Sequence, residues 1–72
     1  MNKKDFFASL EDYLELEGLN ENSPLELSSL GILSVIALID ENFDKQYKAS
    51  EIKEIKSVQE LMSLIGTENF ID

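Results

Sequence analysis

The run Ser28-Ser29-Leu30-Gly31-Ile32-Leu33-Ser34-Val35-Ile36-Ala37-Leu38-Ile39-Asp40-Glu41-Asn42-Phe43 contains the longest apolar stretch of the chain, Val35 to Ile39. Its apolar residues recur with a helical period. At roughly 100° per residue, Ile32, Val35, Ile36, Ile39 and Phe43 share one arc wide enough to be a core face. Leu30, Leu33 and Ala37 fall on the opposite side, together with Ser34, Asp40, Glu41 and Asp44. The helix is thus expected to show solvent a narrow apolar stripe edged by carboxylates, suited to a basic, partly apolar partner. Alternatively, the neighbouring loop or a short helix covers Leu30 and Leu33. Ser28 or Ser29 is a natural N-cap, because a serine oxygen accepts a hydrogen bond from a first-turn amide.

Upstream, Phe6, Phe7, Leu10, Tyr13 and Leu14 lie at i, i+1, i+4, i+7 and i+8, which predicts a first helix from about Lys3 to Glu17 ended by Gly18. Between the two helices, Leu19 to Ser28 is rich in Asn and Ser, and Pro24 forbids a continuing helix. Leu25 and Leu27 are expected to pin this loop to the core. Downstream, Ser50 to Ile55 reads as a short helix burying Ile52 and Ile55. Ser57 with Glu60 forms a capping box before Val58, Leu61, Met62 and Ile65, and Gly66 closes that last helix. The tail from Thr67 to Asp72 has no periodicity and is expected to fray. No strand alternation or repeat occurs. The expectation is one all-α domain over residues 1–72, a small four-helix bundle of three main helices plus one short one.

Composition narrows the chemistry. The 72 residues hold 15 acids and 6 lysines for a net charge of −9, with no His and no Cys. The chain therefore lacks the usual general base near pH 7, a thiol nucleophile and the soft metal ligands, and an enzyme is not expected. A chain of this length buries only about 60% of its unfolded surface, which leaves little room for an internal pocket. Ile32, Ile36, Ile39 and Ile55 are candidates to line a cavity between the helices, or are simply core. No run approaches the roughly 20 apolar residues of a membrane span. The acidic surface should repel nucleic acid and attract basic proteins, and a cytoplasmic monomer is the expectation.

Ser29 sits where the second helix begins, beside free backbone amides and the positive end of the helix dipole, so a phosphate on its oxygen would be stabilised there. Nothing in the chain could activate that hydroxyl as a nucleophile. Ser29 is either a helix cap or an acceptor modified by another enzyme. Asp40, Asn42, Asp44 and Glu51 also fall at positions 1, 3, 5 and 12 of an EF-hand loop, but Lys45 occupies the position that needs Gly for its sharp turn.

From the first helix to Ile65 the chain resembles the acyl carrier proteins. The family's mark is Asp-Ser-Leu opening the second helix, and Ser28-Ser29-Leu30 lies in its place. Leu25 matches the Leu of the family's Leu-Gly-x-Asp-Ser run, Phe43 the Phe closing the second helix, and Ser57-Val58-Gln59-Glu60-Leu61 the entry to the last helix. The resemblance implies a four-helix carrier on which a phosphopantetheinyl transferase attaches 4′-phosphopantetheine from coenzyme A to Ser29. Acyl groups would be held as thioesters on that arm. An acyl-loading ligase or synthase and acyltransferases with basic docking patches would read Leu30, Leu33, Ser34, Ala37, Asp40 and Glu41.

The chain departs from the family at four positions. Ser28 replaces the motif Asp, Glu26 the Gly, Gly31 the acid after the Leu, and Ser34 a further helix acid. These changes point to a specialised stand-alone carrier for a fatty-acid, polyketide-like or cell-surface pathway. Gly31 also resembles the residue found in carriers loaded by adenylating ligases, including D-alanyl carriers. The missing Asp leaves open a degenerate, unmodified carrier that acts as a protein-binding adaptor.

Overall fold

The computed structural model describes residues 1–71, so Asp72, the last residue of the tail expected to fray, lies outside the described residues. Four α-helices, α1 (Lys3–Leu14), α2 (Ser29–Phe43), α3 (Ala49–Lys53) and α4 (Val58–Ile65), precede a 3-10 turn at Thr67–Asn69. No strand occurs among the described residues; only isolated bridges pair Asn2 with Ile71 and Pro24 with Ser57.

Helix α1 starts on Asn2, whose side chain accepts the Asp5 N–H at 2.8 Å. It ends three residues before the expected Glu17. Glu15 adopts a left-handed conformation at φ 56°, and the Leu16 N–H reaches back to the Glu11 carbonyl, which closes the helix as a Schellman motif. The Glu11 carboxylate then takes the Leu19 N–H at 2.8 Å and draws the chain across the helix end. Gly18, at φ 72°, serves that return rather than the helix stop.

The loop between α1 and α2 is fixed by the backbone of the α3–α4 junction. Leu25 N–H bonds to the Lys56 carbonyl, while Ser23 and Glu21 carbonyls accept from Val58 and Gln59. Together with the Ser57 hydroxyl, which accepts the Glu60 N–H at 3.2 Å, these carbonyls satisfy the first three amides of α4. The capping box is half formed, since Glu60 pairs with the Ser57 hydroxyl rather than its amide. Leu25 is buried and Leu27 half-buried, so both leucines do hold the loop to the core.

The core face of α2 is rotated from the expected arc. Leu38, absent from that arc, is fully buried with Val35 and Ile39, whereas Ile32, Ile36 and Phe43 are only half-buried. The cause is that α2 packs on two flanks: against α1 on the side of Glu41, which Tyr13 bonds, and against α3 on the side of Ile32. Ile39 and Ile55, expected as possible cavity lining, belong to the same buried cluster as Phe6, Leu10, Ile52, Leu61 and Ile65.

The tail does not fray through Ile71. Phe70 is 8% exposed and packs edge-on against Phe6 and Phe43, with ring centroids 4.8 and 5.3 Å away. Lys3 N–H bonds to the Ile71 carbonyl, Ile71 N–H to the Met1 carbonyl, and the Met1 amine to the Asn69 carbonyl. The two ends of the chain thus clasp each other. Lys45 Nζ and Tyr47 OH donate to the Ile65 and Leu64 carbonyls at 2.7 and 2.9 Å, which satisfies the C-terminal end of α4.

Candidate functional site

The two serines that open α2 have different tasks. Ser28 is the N-cap: its backbone is extended and its hydroxyl accepts the Gly31 N–H at 3.1 Å. Ser29 is the first helical residue and is exposed, and its hydroxyl makes no hydrogen bond among the described residues. A serine one place inside the helix cannot cap it, because its own backbone is already helical. The Ser29 and Leu30 N–H groups also lack a protein partner among the described residues. The start of this 15-residue helix therefore offers open amides, the positive end of its dipole and a hydroxyl with no structural role.

Ser29 stands on the rim of an open groove of about 470 Å³ between α2 and α3, lined by Ser29, Ile32, Leu33, Ala49, Ser50 and Lys53. The lining is mainly apolar, and Lys53 is its one charged side chain among the described residues. On the fold, Ile32 is a groove wall as well as a member of the helix's inner face.

The outward face of α2 carries Leu30 and Leu33, 73% and 60% exposed. Neither the loop nor α3 covers them. Asp40 and Glu41 are exposed on the same face, whereas Ser34 and Ala37 are half-buried. The Ser34 hydroxyl donates back to the Leu30 carbonyl at 3.0 Å, which leaves less of it for a partner. Glu41 accepts a 2.6 Å hydrogen bond from the Tyr13 hydroxyl and so ties the end of α1 to α2. That bond, aided by partial desolvation and by the charges of Glu41 and Asp12, pushes the Tyr13 hydroxyl above its ordinary value.

The EF-hand spacing does not form a loop. Asp40 and Asn42 lie inside α2, the Asn42 amide donates to the Leu38 carbonyl at 2.9 Å, and Asp44 is the left-handed C-cap. No group of three His, Cys, Asp or Glu side chains is placed to hold a metal ion among the described residues. No helix among them is long and apolar enough to cross a membrane.

Two features were not read from the sequence. The Tyr13–Glu41 bond joins residues 28 apart and has no local signature. Lys53 and Ser50 beside Ser29 did leave a trace: four of the six lysines, Lys45, Lys48, Lys53 and Lys56, fall within twelve consecutive residues of an otherwise acidic chain. No protein-family model, curated protein or solved structure matches the chain.

Proposed function

We propose that the protein is a carrier whose Ser29 accepts a 4′-phosphopantetheine arm, and that it serves a specialised acyl pathway in the cytoplasm. The division of labour between the serines carries this reading: Ser28 caps α2, and the Ser29 hydroxyl is left exposed and unbonded. The site fits the group in three respects. The acceptor oxygen is free, a phosphate on it would meet the open amides of Ser29 and Leu30, and an apolar groove runs beside it.

The chain contributes position and charge rather than catalysis. Ser29 Oγ would form a new bond to the phosphorus that carries pantetheine, the pyrophosphate bond of coenzyme A would break, and adenosine 3′,5′-bisphosphate would leave. The hydroxyl proton would go to a base of the transferase, since none stands at Ser29. The arm, once attached, supplies the terminal thiol that a Cys-free sequence lacks. Leu30 and Leu33, with Asp40 and Glu41 beside them, would be read by the transferase, the acyl-loading ligase or synthase, and acyltransferases, through basic, partly apolar patches.

Intact mass after incubation with coenzyme A, magnesium and a broad-specificity phosphopantetheinyl transferase tests this, with Ser29→Ala alongside. A gain of one phosphopantetheine in the parent and none in the variant is expected. No gain in the parent, also with transferases from the protein's own source, would overturn the carrier reading.

A further inference from the structure

We propose that Lys53 is the counter-ion of a phosphate ester carried on Ser29, and that it holds this group over the groove between α2 and α3. The inference rests on the carrier reading for the identity of the ester, and on the groove for everything else.

Lys53 and Ser29 line the same groove from opposite walls, and of the other lining residues Ile32, Leu33 and Ala49 are apolar and Ser50 is uncharged. An anion on Ser29 would find no other charged side chain in that lining. The acids of this segment do not compete for the lysine. Glu51 and Glu54 line a different groove, with Ser57, Gln59, Glu60 and Ser63 on the side of α4. Helical geometry explains the split: Ala49, Ser50 and Lys53 share one face of α3, Ile52 points into the core, and Glu51 lies on the far side. Lys53 is exposed and makes no salt bridge among the described residues, in contrast to Lys3, which pairs with Glu21 at 2.9 Å.

The charge balance sharpens the point. With a net −9, a further phosphate is repelled by the chain as a whole, so a local cation and the open α2 amides are what would make its placement favourable. A tethered ester is also at a high effective concentration beside Lys53, which no free anion matches. The consequence for a carrier is direction. An arm fixed at its phosphate leaves from the α3 side of Ser29, along the wall that Leu33 lines, and keeps Leu30, which is outside that lining, open to a partner.

The test uses the full chain with phosphoserine placed at position 29, and separately the chain loaded from coenzyme A by a transferase. Phosphorus NMR should show the second ionisation of the phosphoserine about half a unit lower in the parent than in Lys53→Gln. That is the effect of one unit charge at roughly 6 Å in a water-like medium, and 1 M salt should erase it. Lys56→Gln, outside the groove, should titrate as the parent does. Identical titrations of the parent and Lys53→Gln would overturn the proposal. In the loaded chain, the Lys53 side-chain signals should move on loading while those of Lys56 stay. Unmoved Lys53 signals there would overturn it for the arm, even if the phosphoserine pairs. Failure of the transferase to load Ser29 would instead remove the carrier reading, and the phosphoserine titration would still decide whether Lys53 pairs.

Discussion

Replacing Phe70 with Ala should remove one of the three rings that lock the chain ends onto α2. Phe70 is 8% exposed and lies 4.8 Å from Phe6 and 5.3 Å from Phe43, centroid to centroid. Phe-to-Ala changes in cores cost about 3–5 kcal/mol, and edge-on ring contacts add to the area term. Phe70 borders a surface groove, so neighbours can relax, and the low end of about 3 kcal/mol applies. A chain of this length has roughly 4–11 kcal/mol in total, so the loss is a large share of it. The unfolding midpoint should fall by about 12–24 °C, at 4–8 °C per kcal/mol for a domain of this size. Urea unfolding followed by circular dichroism gives the difference at an unchanged slope. Ile71→Ala is the control: its side chain is 65% exposed and it acts through backbone bonds to Met1 and Lys3, so it should cost less than about 0.5 kcal/mol. A loss below about 1 kcal/mol for Phe70→Ala, or equal losses for the two variants, would refute the clasp.

Ser28→Ala should destabilise the protein by about 1 kcal/mol through loss of the α2 cap, while Ser29→Ala stays within about 0.5 kcal/mol, both read by urea unfolding. Tyr13 should ionise above its ordinary value in a spectrophotometric titration, and Glu41→Gln should bring it back down. Because the folded value is raised, this contact's contribution to stability is fully present below the unfolded tyrosine value near 10 and is lost as pH rises through the folded value. A titration unchanged by Glu41→Gln would remove the hydrogen bond as the cause.

Helix positions were legible where one local signal decides them. Ser57 at the start of α4 and the i, i+3, i+4, i+7 spacing from Val58 to Ile65 are such signals, and that helix occurs where they place it. The end of α1 was not legible, because it is set by a left-handed glutamate and by the Glu11 carboxylate reaching Leu19. Neither follows from local propensity, which favours a glycine stop. The rotation of α2 was hidden for a related reason. Periodicity finds the centre of an apolar arc, but how far burial extends to Leu38 depends on α1 and α3 both packing against α2, a fact of tertiary packing. The tail misled in the same way: Phe70 has no periodic neighbours in sequence, and its partners Phe6 and Phe43 come from two other elements. At the site, exposure of Leu30 and Leu33 was legible as one alternative, and the roles of Ser28 and Ser29 were separable only by which hydroxyl meets the Gly31 amide.

The α2 face has a size and composition that set the strength of any partner it binds. The whole described surface is 4720 Å², and a standard interface takes about 800 Å² from each partner, so one docking event would cover roughly a sixth of this molecule. Fully burying a leucine is worth about 1.5–3 kcal/mol, so Leu30 and Leu33, 73% and 60% exposed, keep that share of it each for a partner. Most of such a gain is consumed by the lost freedom of association. Asp40 and Glu41 lie at the rim, in water, where charges accelerate encounter more than they deepen affinity. For a partner docking on this face, two anchors and a charged rim would give fast, weak and salt-sensitive binding. The proposed carrier would need that combination, because it would have to leave each enzyme to reach the next, whereas an adaptor that holds its partner would show slow dissociation instead.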